Sequence, residues 1–285
     1  MTVKHAYNHI TDQLKTIYEP REAQSITDWV FESIAGIKRL DRLVKQHEEI
    51  DTQKLFDAID ELLTHKPVQY VLGEAWFYKM KFKVNEHVLI PRPETEELVE
   101  DVREDVRMGG WEDGRMKNIS ILDIGTGTGC IAIALNKNVL GSTVTGIDIS
   151  EEALNVAKEN SIELGADIEF IQLDFLNKNE WRRLAKFDVI VSNPPYIPAN
   201  EKEKLEKNVT EFEPHLALFV ADNDPFIFYR RIAEFAKDHL QIDGKLFVEI
   251  HEDYATEVSS IFKSCNFKTE IKKDMYGRDR IVKAG

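Results

Sequence analysis

The sequence predicts an α/β protein: a seven-stranded, mostly parallel sheet with helices on both faces, preceded by a small all-helical bundle and a β-hairpin. Three observations predict it. From residue 119 onward, apolar runs of strand length alternate with helical patterns, the signature of a sheet built from strand–helix units. Residues 1 to about 72 show helical spacing and no strand. Between these regions, residues 75–90 carry short alternating apolar stretches that read as a hairpin joining two domains.

Each element has its own warrant. Val3, Tyr7, Ile10, Leu14 and Ile17 recur at helical spacing, as do Ile26, Val30, Phe31 and Ile34. Asp51-Thr52 is suited to cap a helix carrying Leu55, Phe56, Ile59, Leu62 and Leu63, which His65-Lys66-Pro67 stops, because proline disfavours helix at the residue before it. Trp76, Phe77 and Tyr78, then Phe82, Val84, Val88 and Ile90, supply the hairpin. Pro91 to Glu97 starts a helix with acids in its first turn, where the helix dipole favours them. Gly109-Gly110-Trp111-Glu112-Asp113-Gly114 reads as an exposed linker. Strands follow near 119–124, 143–148, 168–173, 187–192 and 245–250, with helices near 128–138, 151–164 and 225–240. A final pair near 267–272 and 279–283, joined by Asp274-Met275-Tyr276-Gly277, reads as a hairpin that adds an antiparallel edge strand. The expected boundaries are 1–73 for the helical domain, 74–91 for the hairpin linker and 92–285 for the α/β domain.

Bulk properties narrow the function classes. The chain has 285 residues, 42% hydrophobic and 31% charged, the composition of a soluble globular protein. It holds no apolar run near the ~18 residues a membrane span needs, and Met1 to Tyr7 lacks the apolar core of a secretion signal. Cys130 and Cys265 are far apart and suggest neither a disulfide framework nor a metal site; a reducing cytoplasm is the default reading. The net charge of −14 argues against general attraction to nucleic acid, whose binding draws on Lys and Arg. No element advertises a spare apolar face, so a monomer is expected.

The chemistry concentrates in two motifs. Ile121-Leu122-Asp123-Ile124-Gly125-Thr126-Gly127-Thr128-Gly129 ends a strand and opens a helix, and its glycines allow a tight turn and close backbone approach to a ligand. Alone, such a run is equally a plain strand-to-helix turn. Asp148 closes the second strand about 20 residues on, where a carboxylate can accept from both ribose hydroxyls. Asp174-Phe175 closes the third, an acid and an aromatic suited to an adenine's amine and face. Either Asp could instead cap the helix that follows. A dinucleotide site wants Gly-x-Gly-x-x-Gly, whereas here Gly129 comes one residue early and a Gly-Lys-Ser/Thr phosphate loop is absent. The Asp-x-Gly-x-Gly-x-Gly strand end resembles the S-adenosylmethionine site of Rossmann-like class I methyltransferases, which implies Asp123 and Gly125 to Gly129 against the methionine part of that cofactor, and S-adenosylhomocysteine as product.

The second motif, Asn193-Pro194-Pro195-Tyr196, follows the buried strand Val189-Ile190-Val191-Ser192 and so occupies a carboxyl-end loop, where open α/β sheets place ligands. It could be a simple loop, since Asn and Pro are turn formers. Beside a methyl donor it resembles the methyltransferases of planar NH2 groups, both the adenine-N6 and the glutamine-N5 enzymes. An amide nitrogen is a poor nucleophile because its lone pair is delocalised. The Asn193 side-chain oxygen and the Pro194 carbonyl can each accept one NH2 hydrogen and aim the nitrogen at the methyl, with Tyr196 packed against the flat group.

Flanking segments choose between the two. Pro67-Val68-Gln69-Tyr70-Val71-Leu72-Gly73, Leu89-Ile90-Pro91-Arg92-Pro93-Glu94-Thr95-Glu96, Phe228-Tyr229-Arg230-Arg231-Ile232 and Asp274 to Arg280 together resemble the release factor glutamine methyltransferases (HemK/PrmC). The resemblance implies a protein substrate, the glutamine of the Gly-Gly-Gln loop of peptide chain release factors, which the helical domain helps to recognise. A related branch acting on a ribosomal-protein glutamine shares much of the pattern. An adenine-N6 enzyme would need a base-flipping pocket and phosphate contacts, and a silent S-adenosylmethionine-binding protein would not need Asn193 and Tyr196. Two segments depart from the family pattern: Phe219 to Asp224 stands where a Gly-Gly pair is common, and Glu249-Ile250-His251 where Glu-Ile-Gly is frequent. His251 invites a proton-acceptor role, although a lone histidine is more often structural.

Overall fold

The computed structural model of the chain describes residues 1–108 and 118–285; the expected linker from Gly109 to Gly114 lies outside the described residues. These residues form two compact units, one of Met1–Glu74 with Glu206–Phe212 and one of Ala75–Leu205 with Glu213–Gly285. Among the described residues no helix is long and apolar enough to cross a membrane.

The chain opens with α1 (Val3–Leu14), α2 (Pro20–Ala35), α3 (Arg39–Val44), α4 (Gln53–Leu62) and α5 (Val68–Leu72). Pro20 stands at the first position of α2, where its missing N–H has no helical partner to lose, and Gly36 ends the helix in the left-handed region. At α4 the cap comes from Asp51 rather than Thr52: the Asp51 carboxylate accepts from the Gln53 N–H (3.0 Å). Val3, Ile10, Leu14, Val30, Phe31, Leu55 and Leu62 are fully buried and make one core.

A hairpin follows, β1 (Glu74–Phe77) and β2 (Met80–Lys83), then α6 (Pro93–Met108). The expected strand character of residues 84–90 is not present. That segment is a loop, turned by the Asn85 side chain accepting from the His87 N–H (3.0 Å), and its buried Val88 and Ile90 owe their burial to loop packing.

From Ile119 on, the chain runs β3 (Ile119–Ile124), α7 (Cys130–Asn138), β4 (Ser142–Asp148), α8 (Glu151–Leu164), β5 (Ile168–Gln172), β6 (Phe187–Ser192), β7 (Ile197–Pro198), α9 (Lys207–Phe212), α10 (His215–Leu218), β8 (Phe219–Val220), α11 (Ile227–His239), β9 (Leu240–Glu249), α12 (Ala255–Ser264), β10 (Thr269–Lys273) and β11 (Asp279–Ala284). Seven strands pair in the order β10-β11-β9-β6-β3-β4-β5, the Rossmann-like class I methyltransferase arrangement. The sheet is parallel except around β11, which is antiparallel to both β9 and β10. The antiparallel strand is therefore not the edge strand: the chain leaving α12 lays β10 at the edge, and the turn at Gly277 (φ 82°) returns β11 between it and β9. Helix α12, with Ala255, Val258 and Phe262 buried, is an element the sequence reading passed over.

Strand alternation builds two cores. Ile121, Val189, Val191 and Phe247 face the core of α6, α7 and the hairpin's Phe77 and Phe82. Leu122, Ile190, Leu246 and Val248 face that of α11 and α12. Burial on both faces is why these strands are continuous apolar runs.

Glycine is required at Gly129, where φ is +77° and an added Cβ would lie 3.2 Å from the Ala157 Cβ. Gly129→Ala is expected to destabilise the protein by about 1–3 kcal/mol through backbone strain and crowding, read as a lowered urea midpoint.

Candidate active site

Strands β4 and β5 lie on one side of β3, and β6 and β9 on the other. The connections after β3 and β6 therefore leave in opposite directions and open a crevice at the strands' carboxyl ends. A cavity of about 280 Å³ occupies that place.

The glycine loop is shaped by its own backbone. Gly125 and Thr126 both donate to the Ile147 carbonyl (2.9 Å each), and Gly129 donates to the Thr126 carbonyl (2.8 Å). Gly125 and Gly127 have positive φ, and an added Cβ at either would meet no atom within 4 Å, so both present bare backbone to open space. The Asp148 carboxylate accepts from the Gly127 N–H (2.9 Å) and the Ser150 N–H (3.0 Å), which ties the ends of β3 and β4 together. Asn160, a residue the sequence reading missed, adds a brace: its side-chain nitrogen donates to the carbonyls of Thr128 and Lys83 (3.0 Å each) and its oxygen accepts from the Lys83 N–H (2.7 Å). Inside an amphipathic helix it carried no signal beyond a polar residue at a buried position.

Gly125, Gly127, Asp148, Asp174, Phe175, Asn193, Pro194 and Pro195 all line the cavity. Asp123, Thr126, Thr128 and Gly129 stand behind that lining. Asp123 is wholly buried; one carboxylate oxygen accepts from the Thr126 hydroxyl (2.7 Å) and the other has no partner. The Phe175 ring is nearly buried, stacked on Trp181 (5.6 Å) and edge-on to Phe235 (5.4 Å), so it belongs chiefly to the core. Tyr196 also stands outside the lining, with its hydroxyl donating to Glu249 (3.4 Å).

Behind Asn193 lies a buried polar chain. The Asn193 side-chain nitrogen donates to the Thr95 hydroxyl (3.1 Å), which donates to Glu249 Oε2 (2.7 Å). Thr95 comes from the first turn of α6, and this is the physical content of the Pro91–Glu97 segment. Arg92 pairs with the buried Glu213 (2.6 Å), Glu96 accepts from the Tyr78 N–H (2.8 Å), and Glu97 accepts from the Met275 N–H (3.1 Å). The Arg92–Glu213 pair also joins two cavity walls, Val88-Leu89 and Pro214-Leu216-Ala217; neither wall stood out in the sequence as part of a site. Asp274 pairs with Arg280 (3.3 Å) and accepts from the N–H groups of Tyr276 and Arg278.

The two departures from the family pattern have local roles. His251 accepts from the Asp253 N–H through Nδ1 (3.3 Å) and packs on Tyr254, a capping position. Phe219-Val220 pairs in parallel with Ile197-Pro198, and Asp222 accepts from the Asn200 N–H (2.8 Å), steadying the chain that leaves Tyr196.

Burial raises three carboxyl groups at the site. Asp123 is pushed up to about 7 by desolvation, against the Thr126 hydrogen bond. Glu249 is likewise pushed up to about 7 by desolvation, against the Thr95 hydrogen bond and the Arg280 charge. Asp148 is raised by burial despite the backbone N–H groups of Ser150, Gly127 and Ile149. An acid with a folded-state pKa above its unfolded value binds more protons when folded, so stability is lost as pH rises from the ordinary carboxylate range through about 7. The urea midpoint is expected to be lower at about pH 8 than at about pH 5, and Glu249→Gln is expected to flatten that difference.

Comparison with known proteins agrees with the site. Residues 115–274 match a methyltransferase domain and residues 5–73 match the PrmC N-terminal domain. The chain is 41% identical to the release factor glutamine methyltransferase of Flavobacterium psychrophilum, over 99% of both chains. It is 39% identical to that of Bacteroides thetaiotaomicron, over 97% of both. A solved protein-(glutamine-N5) methyltransferase (release factor-specific) from Alicyclobacillus acidocaldarius is 28% identical, with a TM-score of 0.42, covering 71% of this chain and 98% of its own. With the strand order, the glycine loop and Asn193-Pro194-Pro195-Tyr196 meeting at one crevice, this near-full-length identity places the chain in the release factor glutamine methyltransferase family.

Proposed function

We propose that this chain transfers a methyl group from S-adenosylmethionine to the side-chain nitrogen of the glutamine in the Gly-Gly-Gln loop of peptide chain release factors. The observation that carries the reading is that Asn193-Pro194 and the Gly125–Gly127 backbone open onto the same cavity. The open space over Gly125 and Gly127 fits a ligand pressed against backbone, and Asp148 keeps lone pairs for ribose hydroxyls beyond its two N–H donors. Asp174, in the cavity lining, accepts from the adenine amine in this reading, with Phe175 beside it in the lining. Asp123 and the Thr126–Gly129 turn hold the loop in shape, and the amino end of α7 lies where a carboxylate is favoured.

When bound, S-adenosylmethionine supplies an electrophilic methyl group; a carbon–nitrogen bond forms, the carbon–sulfur bond breaks, and S-adenosylhomocysteine and one proton are released. The chain's contribution is placement. The Asn193 oxygen and the Pro194 carbonyl accept the two NH2 hydrogens and aim the nitrogen's lone pair, and orientation of this kind supplies up to ~7–11 kcal/mol. Both carbonyl dipoles also favour the positive charge that develops on nitrogen. Pro195 rigidifies the loop and Tyr196 anchors its end at Glu249. The helical unit, Met1–Glu74 with Glu206–Phe212, contributes to recognition of the protein substrate. The enzyme works as a cytoplasmic monomer without stable nucleic-acid binding.

The test is methyl transfer from labelled donor to release factor, ribosomal protein and DNA in parallel. Label on release factor that vanishes when its loop glutamine is replaced supports the proposal, and label on DNA alone sinks it. Asn193→Ala is expected to lower kcat by about 10²-fold or more with donor affinity largely kept. Asp148→Ala is expected to do the reverse and raise the donor Kd first, as isothermal titration would show.

A further inference from the structure

Resting on the methyl-transfer reading above, we infer that Thr95 and Glu249 are positioning residues that dictate which end of the Asn193 amide faces the substrate, and so make the site select a primary amide over a carboxylate. Above the pH of about 7 to which burial lifts Glu249, its carboxylate only accepts, and a threonine hydroxyl has a single hydrogen to give. With the Thr95 hydroxyl 2.7 Å from Glu249 Oε2, that hydrogen goes to Glu249, and Thr95 offers only lone pairs to its other neighbour. The one group of Asn193 able to satisfy them is its NH2, which lies 3.1 Å away. The Asn193 oxygen is therefore the end left for the cavity that this residue lines.

The chain is held in that polarity from behind. Glu249 is 2% exposed; its second oxygen accepts from the Tyr196 hydroxyl (3.4 Å), and its backbone carbonyl accepts from Tyr229 (3.1 Å). The neighbouring backbone reinforces it, because Pro194 and Pro195 have no N–H. The loop thus turns acceptors toward the reacting group and withholds donors. A glutamine NH2 satisfies two acceptors with two hydrogens. A glutamate at the same place has no hydrogen to give and meets only acceptors, and sites built on such hydrogen bonds reject the mismatched analogue strongly.

Thr95→Val keeps the shape and removes the acceptor that orients Asn193. It is expected to lower kcat by about 10²-fold while the Kd for S-adenosylmethionine stays near the wild-type value. Thr95→Ser, which restores the hydroxyl, recovers most of the loss. With S-adenosylhomocysteine bound, the wild type is expected to prefer a release factor carrying the loop glutamine over one carrying glutamate at that position, and Thr95→Val to erase most of the preference. Unchanged kcat and preference in Thr95→Val, or a Thr95→Ser variant as impaired as Thr95→Val, would overturn the inference. A neutron structure of the deuterated protein with S-adenosylhomocysteine decides the polarity independently of any substrate. Deuterons on the Asn193 atom facing Thr95, with the Thr95 deuteron directed at Glu249, support the inference, and the opposite arrangement refutes it. If the wild type leaves the release factor glutamine unlabelled, the proposed function itself fails, and the neutron result still decides the polarity.

Discussion

The pairing of β3 with β6 is the constraint on which the rest of the molecule depends. Ile121 to Ile124 run in register with Val189 to Ser192, and the Ser192 hydroxyl closes the pair by donating to the Ile124 carbonyl (2.8 Å). One strand then feeds the glycine loop and the other feeds Asn193-Pro194-Pro195-Tyr196, so a single hydrogen-bond register sets the distance between the donor cradle and the acceptor grip. Side chains alternate along a strand, and a slip of one residue would send the buried set to the wrong face. Both faces of these strands are packed, so the register is specified twice. The chemistry inherits its precision from apolar packing.

That packing also carries a load. Asp123 and Glu249 are carboxyl groups at strand ends in fully buried positions, and burying a charge is unfavourable unless it is well paired. Glu249 is partly compensated by Thr95, Tyr196 and the nearby Arg280 charge. Asp123 keeps one oxygen without a partner. The molecule thus holds two ionisable groups that disfavour folding at neutral pH directly beneath the two loops that define the site. Groups perturbed in this way are characteristic of functional sites, and the surrounding sheet makes them tolerable.

Much of this was legible in the sequence. The strand and helix succession from residue 119 on, the helical front segment and the glycine loop all follow from periodicity and turn chemistry. Residues 84–90 misled because apolar residues in a loop that packs inward look like strand alternation. Helix α12 was passed over because Ser259 interrupts its apolar face, although Ala255, Val258 and Phe262 keep the spacing. The antiparallel strand was recognised but set at the edge, since the order of strands in a sheet depends on pairings between distant segments. In the site, Asp148 and Asn193 stood out because motif and strand end coincide. Asn160, Glu213 and Glu249 did not, because a buried polar residue acquires meaning only from a partner far along the chain. Phe175 lines the cavity while Trp181 and Phe235 hold its ring, whereas Tyr196 stands outside the lining with its hydroxyl on a buried carboxylate.

The separation of those partners governs when the site comes into being. Thr95 and Asn193 are 98 positions apart, and Thr95 and Glu249 are 154 apart. Contacts this distant along the chain are the last whose closure entropy is repaid during folding. A chain emerging from the ribosome can therefore assemble β3, β4, β5 and β6, with the glycine loop and Asn193 at their ends, before Glu249 has been made. Until β9 joins the sheet, Thr95 has no Glu249 to take its hydrogen, and the polarity of the Asn193 amide is not fixed. A chain that ends before β9 would lack the carboxylate that fixes the polarity of the Asn193 amide.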